Sequence, residues 1–301
     1  MTEILTNLSN DLAEAVEKGG AGVVRVEARD RLPASGIIWP EHDLVVTAHH
    51  VVERDENIKV GLPGGESVEA TLAGRDPATD LAVLRVPGIA NNAGTPAGFA
   101  DVDGLRVGHL VLALGRPGQN VRATMGIVGA VGDAWRTPAG GSLDRYLQTD
   151  TVMYPGFSGG PLVDVSGRIV GLNTSAILQG LSITVPWATL RRVVDALHTH
   201  GRVRRGYLGV GVQPNRLPKA VAQETGQEMG LLLTSVEPGS PAEKGGLFLG
   251  DTIIALAGQP VQQTDDLMAK LGGDAIGQTL LISVFRAGQI IDVPVVPGDQ
   301  E

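Results

Sequence analysis

Residues 156–161 read Gly156-Phe157-Ser158-Gly159-Gly160-Pro161, a glycine-rich turn with one serine at its centre. The turn lies within a series of brief apolar, β-branched runs bounded by turn residues, at 110–114, 124–131, 146–149, 161–165, 168–173 and 181–185. Such runs read as strands. An equal series precedes it, at 23–26, 36–39, 44–47, 58–62, 67–72 and 81–86. Two sets of six short strands predict two β-barrels, joined by the looser, almost uncharged stretch 87–103.

Moving outward, residues 3–18 place Ile4, Leu5, Leu8, Leu12, Ala15 and Val16 three and four apart. That spacing makes one apolar stripe on a short helix ended by Gly19-Gly20. A second helix is predicted over 187–198, where Leu190, Val193, Val194 and Leu197 recur at helical spacing and would pack on the outside of the second barrel. Beyond Gly201 and an arginine-rich junction the pattern changes again. Strands at 231–236, 252–256, 280–285 and 290–295, and a helix near 264–271, describe a separate β-rich module.

The 301 residues suffice for two domains, each with its own core. With 24 basic against 33 acidic residues the formal charge is −9, so no overall positive field exists to hold nucleic acid, and that partner is not expected. With 43% hydrophobic and 19% charged residues, the chain is a folded rather than a disordered one. The 42 glycines and 18 prolines, with only 3% aromatics, fit many tight turns around aliphatic cores. The absence of cysteine removes disulfides, thiolate metal sites and a cysteine nucleophile together. No run reaches the ~18 apolar residues of a spanning helix, so no membrane insertion is expected. Residues 1–18 have neither a basic start nor an unbroken apolar stretch, so the chain reads as cytoplasmic, or as periplasmic or otherwise extracytoplasmic if a leader precedes it.

Three local signals carry chemistry. Thr47-Ala48-His49-His50-Val51-Val52 follows a strand, Asp80 opens the Asp-Leu-Ala-Val-Leu run, and Ser158 occupies the glycine-rich turn. A serine hydroxyl is a weak nucleophile near neutral pH. It needs a base in reach, and the base needs a carboxylate to set its tautomer and stabilise its charge. His and Asp fall in the first strand series and Ser in the second, so the site is expected between the barrels. The glycines let backbone N–H groups, chiefly those of Gly156 and Ser158 in a loop shaped by Phe157, turn toward one point and stabilise an oxyanion. His198 and His200 are two apart at a helix end, not four, so neither a metal nor any other cofactor is expected.

The chain resembles the HtrA/Deg family of serine proteases. Its Leu-Val-Val-Thr-Ala-His-His-Val-Val resembles the family's histidine segment, Asp76-Pro77-Ala78-Thr79-Asp80-Leu81-Ala82 its aspartate segment, and Gln148-Thr149-Asp150 with 156–161 its serine segment. The resemblance implies a mainly β fold: a chymotrypsin-like double six-stranded β-barrel followed by a PDZ domain. It implies a helical segment over 1–20, a trypsin-like serine protease domain over 21–200, a linker over 201–206 and the PDZ domain over 207–299. Matched residue by residue, the triad is His50, Asp80 and Ser158. His49 is left as a structural or exposed residue because the family's base directly precedes Val-Val, and Asp76 is left as a turn residue.

Phe157 departs from the family's usual Asn, which puts loop packing and activity in question. Val152, six residues ahead of Ser158, offers no acid to a basic side chain. The expected pocket of Val152, Met153, Tyr154, Asn173, Thr174, Ser175 and Ala176 therefore suits small or medium aliphatic residues. In the last module, Tyr207-Leu208-Gly209-Val210 resembles a PDZ carboxylate-binding loop, and Leu267, Met268 and Leu271 would either line its peptide pocket or belong to its core. The implied activity is ATP-independent endoproteolysis of unfolded or misfolded proteins in a homotrimer, with the PDZ domain binding peptide C-termini. The alternative is a non-proteolytic chaperone or PDZ scaffold with a latent protease site.

Overall fold

The computed structural model describes residues 2–39, 41–89 and 97–299. Part of the predicted connector, 90–96, lies outside the described residues. By contacts the chain divides after Val203 into two units.

In the first unit, β1 (Val23–Glu27), β2 (Ala34–Trp39), β3 (Leu44–Ala48), β4 (Ile58–Gly61), β5 (Ser67–Asp76) and β6 (Leu81–Arg85) close a barrel in the order β1-β2-β3-β6-β5-β4. Every residue of β2 and β3 is buried, which explains their continuous rather than alternating apolar pattern. A second barrel closes as β11-β14-β13-β12-β7-β8. Its strands are β7 (Leu110–Gly115), β8 (Arg122–Gly132), β11 (Tyr146–Thr149), β12 (Pro161–Asp164), β13 (Ile169–Thr174) and β14 (Ser182–Pro186). A two-stranded ribbon, β9 (Trp135–Arg136) with β10 (Ser142–Leu143), fills the connection between β8 and β11. All twelve expected barrel strands are present, displaced by at most a few residues at their ends.

Helix α1 (Thr2–Gly20) runs through Gly19-Gly20 rather than ending before them. A side chain at Gly19 would stand 2.8 Å from Val163 Cγ1, so the glycine is what lets the helix end lie against β12. The expected apolar stripe divides in two. Leu12, Ala15 and Val16 pack on the core, whereas Ile4 and Leu5 are exposed. Helix α2 (Trp187–His200) buries Leu190, Val193, Val194 and Leu197 and is closed by Gly201 at φ 71°, the left-handed conformation glycine favours. Phe99, at the described end of the connector, stacks on Trp187 with ring centroids 3.6 Å apart.

In the second unit, β16 (Val210–Arg216), β17 (Met229–Val236), β18 (Thr252–Leu256), β20 (Leu280–Arg286) and β21 (Gln289–Val295) form a sheet with β16 at one edge, and β19 (Gln259–Pro260) pairs with β18. A short pair, β15 (Gly206–Tyr207) with β22 (Gly298–Asp299), brings the ends of the unit together. Helices α3 (Lys219–Thr225), α4 (Pro241–Gly245) and α5 (Thr264–Lys270) complete it, α5 lying beside β16.

Candidate active site

The buried strand β3 delivers the chain into a single 3-10 turn, His49–Val51, and so places His50 at the end of the first barrel. Asp80 ends the turn before β6. That turn is tied by Asp76, whose carboxylate accepts Thr79 Oγ1 at 2.7 Å and Ala78 N–H at 3.3 Å, as expected of a turn residue. Asp80 adopts φ 55°, a conformation that Asp tolerates better than most side chains. Its Oδ1 accepts the His50 backbone N–H at 2.8 Å, and its Oδ2 accepts His50 Nδ1–H at 2.8 Å and the Thr174 hydroxyl. Because Nδ1 carries the proton toward a carboxylate, Nε2 is left as the basic nitrogen. The carboxylate is 5% exposed and receives three donors, two from the first barrel and one from β13 of the second.

His49 faces elsewhere. Its backbone N–H donates to Asp80 O at 2.9 Å. Burial, with the nearby Arg75 adding to it, pushes its imidazole below the ordinary histidine value.

Ser158 is 8% exposed, at the mouth of a loop that the sequence makes possible through glycine. A side chain at Gly159, where φ is 87°, would stand 2.1 Å from Ser35 O and 2.4 Å from Thr47 Oγ1. One at Gly160 would stand 2.0 Å from Leu114 O. Gly159 therefore allows the loop to press against β2 and β3 of the first barrel, and Gly160 allows it to lie against β7 of its own. The Ser158 hydroxyl is hydrogen-bonded to Ser175 Oγ at 3.3 Å, and among the described residues His50 Nε2 makes no hydrogen bond to it.

Of the three backbone donors expected around an oxyanion, two are open. The N–H groups of Gly156 and Ser158 donate to none of the described residues. Phe157 is the correction: its N–H donates to Tyr154 O at 3.0 Å, closing the turn. Its side chain is not at the substrate surface either. It is 0% exposed and lies in the second barrel's core with Val111, Ala113, Val128, Leu147 and Leu162. An aromatic side chain here anchors the loop from within and leaves access unobstructed.

The seven residues expected to line a pocket fall into two groups. Val152 and Tyr154 are 54% and 55% exposed, Ser175 and Ala176 are exposed, and Met153 is half-buried against the core. Asn173 and Thr174 are interior instead. Asn173 Oδ1 accepts the Thr184 hydroxyl at 3.0 Å and Thr174 serves Asp80, so neither lines a pocket. Thr174 is a part of the site that sequence reasoning placed wrongly, since nothing local to Asn173-Thr174-Ser175 points at residue 80.

In the second unit, Gly209 has φ 76°, and a side chain there would stand 2.3 Å from Ser240 Cβ. The N–H groups of Leu208 and Gly209 donate to none of the described residues, next to the free edge of β16. Tyr207 hydrogen-bonds Glu237 through its hydroxyl, and Val210 begins β16 opposite Val236. Leu208, Leu267 and Leu271 are core residues, and Met268 is half-buried. His198 stacks on His42 with ring centroids 4.6 Å apart. Among the described residues no group of three or more His, Asp or Glu side chains could hold a metal ion.

Two closed six-stranded barrels with a His–Asp pair on one and a serine loop on the other, followed by a five-stranded path of sheet with two free N–H groups at Leu208 and Gly209, define a trypsin-like fold joined to a PDZ fold. Family models agree: a trypsin-like peptidase domain matches residues 34–172 and a PDZ domain residues 206–296. The "Probable periplasmic serine endoprotease DegP-like" of Chlamydia muridarum is 35% identical over 90% of this chain, and the protein of that description from Rhizobium meliloti is also 35% identical over 90%. The chain spans 55% of the length of each, about half of the curated relatives it matches. A solved HtrA-type protease AlgW with tripeptide is 30% identical, with a TM-score of 0.77 over 96% of this chain and 97% of that one. The chain belongs to the HtrA family of serine proteases.

The expectation of a cytoplasmic place is overturned by these relatives, which are named as periplasmic proteins. The physical reason is that the absence of a leader-like run is not a property of the fold. No helix among the described residues is long and apolar enough to cross a membrane.

Proposed function

We propose that the chain is an ATP-independent serine endopeptidase in which Ser158 attacks the scissile carbonyl, His50 Nε2 takes the hydroxyl proton and returns it to the leaving amine, and Asp80 orients and stabilises the imidazolium. The N–H groups of Gly156 and Ser158 stabilise the tetrahedral oxyanion. The observation that carries this reading is the two-point grip of Asp80 on His50, at 2.8 Å through both N–H and Nδ1, with two unsatisfied N–H groups flanking the serine. Val152, Met153, Tyr154 and Ala176 are uncharged and lie in sequence next to the serine loop and to Ser175, the partner of Ser158, which supports cleavage after small or medium aliphatic residues of unfolded chains. The PDZ unit captures peptide C-termini: the carboxylate meets Leu208 and Gly209 N–H, and the peptide strand adds to the edge of β16. The exposed Ile4, Leu5 and Leu8 are the surface on which a homotrimer would assemble.

A second reading has its own observation, the bond from Ser158 to Ser175 in place of one to His50. In it the site is latent and the protein acts as a chaperone or scaffold. Digestion of casein by the wild type and Ser158→Ala, with mass spectrometry of the product ends, separates the two. Cleavage after aliphatic residues, lost by several orders of magnitude in the variant, establishes the protease. No wild-type cleavage, even with C-terminal peptides added, establishes the latent form.

A further inference from the structure

The open N–H groups of Gly156 and Ser158 lie on either side of one peptide unit, that between Gly156 and Phe157. Their aim depends on how that unit is held. It is gripped on both edges: the Gly156 carbonyl accepts the Ser35 hydroxyl at 2.6 Å, and the Phe157 N–H donates to Tyr154 O at 3.0 Å. Two residues on, the Ser158 carbonyl accepts the Ser35 backbone N–H at 3.2 Å. A single residue on β2 of the first barrel therefore holds the carbonyls on both sides of Phe157, in the second barrel.

Ser35 is itself fully committed. It is wholly buried, its oxygen accepts Arg116 N–H at 2.7 Å, and its carbonyl accepts the Thr47 hydroxyl at 2.7 Å. Arg116, just past the end of β7, is buried and has no carboxylate partner among the described residues. Its guanidinium donates to three backbone carbonyls: Val23 at 2.6 Å, Gln119 at 2.7 Å and Gly20 at 3.4 Å. Gly20 is the last residue of α1, where the carbonyl end of a helix favours a cation. Gly115 leaves no slack: a side chain there would stand 3.1 Å from Phe157 Cα, from Phe157 Cγ and from Ser35 Oγ.

We propose that Ser35 is a positioning residue for the oxyanion-stabilising loop, and that Arg116 anchors it to β1 and the end of α1. The inference rests on the protease reading above. Without the Ser35 hydroxyl the Gly156–Phe157 peptide loses one of its two grips, and the neighbouring peptides that carry the two N–H groups can shift with it off the point where negative charge develops. In the uncleaved substrate the carbonyl carries little of the charge that these N–H groups stabilise. The loss therefore belongs to the transition state, in kcat, and not to substrate binding in KM.

The test is steady-state hydrolysis of an aliphatic peptide by the full chain and by Ser35→Ala, beside inhibition by a peptide boronate, which mimics the tetrahedral state. The expected result is a fall in kcat of about 10- to 100-fold with KM within threefold, a matching loss of boronate affinity, and an unchanged acid limb of the pH–rate profile, since Ser35 does not touch His50 or Asp80. A kcat within twofold of wild type, or a loss confined to KM, overturns the proposal. So does a loss that disappears at a lower temperature, which would be instability alone. If Ser35→Ala does not fold, Gly115→Ala decides, because its methyl presses on Ser35 and Phe157 from β7. The same kcat-only loss supports the proposal and an unaltered kcat overturns it. An inactive wild type is instead the failure of the protease reading itself, and boronate binding to Ser158 read by mass distinguishes the two.

Discussion

The two barrels have the same strand count and the same closed topology, yet they hold their halves of the site in different ways. In the first barrel, His50 and Asp80 are 30 residues apart and joined by backbone and side-chain bonds of 2.8 Å, all within one barrel end. In the second, Ser158 stands on a loop in which two carbonyls are held by Ser35 and Gly159 presses against β2 and β3 of the neighbouring barrel. In the proposed mechanism the base is set mainly by local bonds and the nucleophile by inter-barrel ones. Damage to the first half should remove chemistry while sparing the fold, whereas damage to the second should cost stability and alignment together.

The sharpest way to break that contrast is Asp80→Asn. The amide offers one acceptor oxygen in place of two and carries no charge, so it cannot serve all three donors or stabilise imidazolium, and kcat should fall by about 10⁴-fold while the unfolding midpoint moves little. A loss under 10-fold would mean that the His50–Asp80 pair is structural. Next comes Phe157→Ala, which empties a fully buried aromatic site under the serine loop. We expect about 3–5 kcal/mol of destabilisation by urea unfolding, with activity falling alongside. Full stability with lost activity would contradict the role of the ring as an anchor.

Thr174→Val removes the one bond that the second barrel sends to the carboxylate of the first. Hydrogen bonds to charged groups are worth about 1.5–3 kcal/mol, and two donors remain, so a decrease in kcat of about tenfold or less is expected, with KM unchanged. An effect as large as that of Asp80→Asn would show that the base is not locally set after all.

The smallest effect is expected at His49. Burial holds its folded-state imidazole below the unfolded value, so the unfolded chain takes up the proton first as pH falls. Its stability contribution is complete above about pH 6.5 and is lost progressively below it. His49→Gln should keep turnover near the wild-type rate and lessen the drop in urea midpoint between pH 7 and pH 5. Loss of turnover there would move the base from His50 to His49.

Much of the site was legible because it is carried by local patterns. The run of buried residues before His49-His50, the Asp-Pro turn before Asp80 and the glycines around Ser158 each announce their geometry over a few neighbouring residues. Thr174, Ser35 and Arg116 were not legible, because each acts on a partner in another part of the chain: 94, 121 and 93 positions away for the Thr174–Asp80, Ser35–Gly156 and Arg116–Val23 bonds. The sequence leaves the place of the Phe157 side chain open for a related reason. An aromatic side chain beside a nucleophile can point to solvent or to the core, and only packing decides which.

The amino-acid order alone therefore determined the two strand series, the separate β-rich module and the His–Asp–Ser sequence, since strand periodicity and turn chemistry are short-range properties of the chain, while the PDZ character of that module came from its resemblance to a known family. Tertiary structure alone decided which backbone N–H groups stay unsatisfied, which hydroxyl grips the serine loop and which side chain fills the space beneath it. Those outcomes depend on hydrogen bonds and excluded volume between strands distant in sequence, where a difference of one ångström decides whether a donor is spent or free.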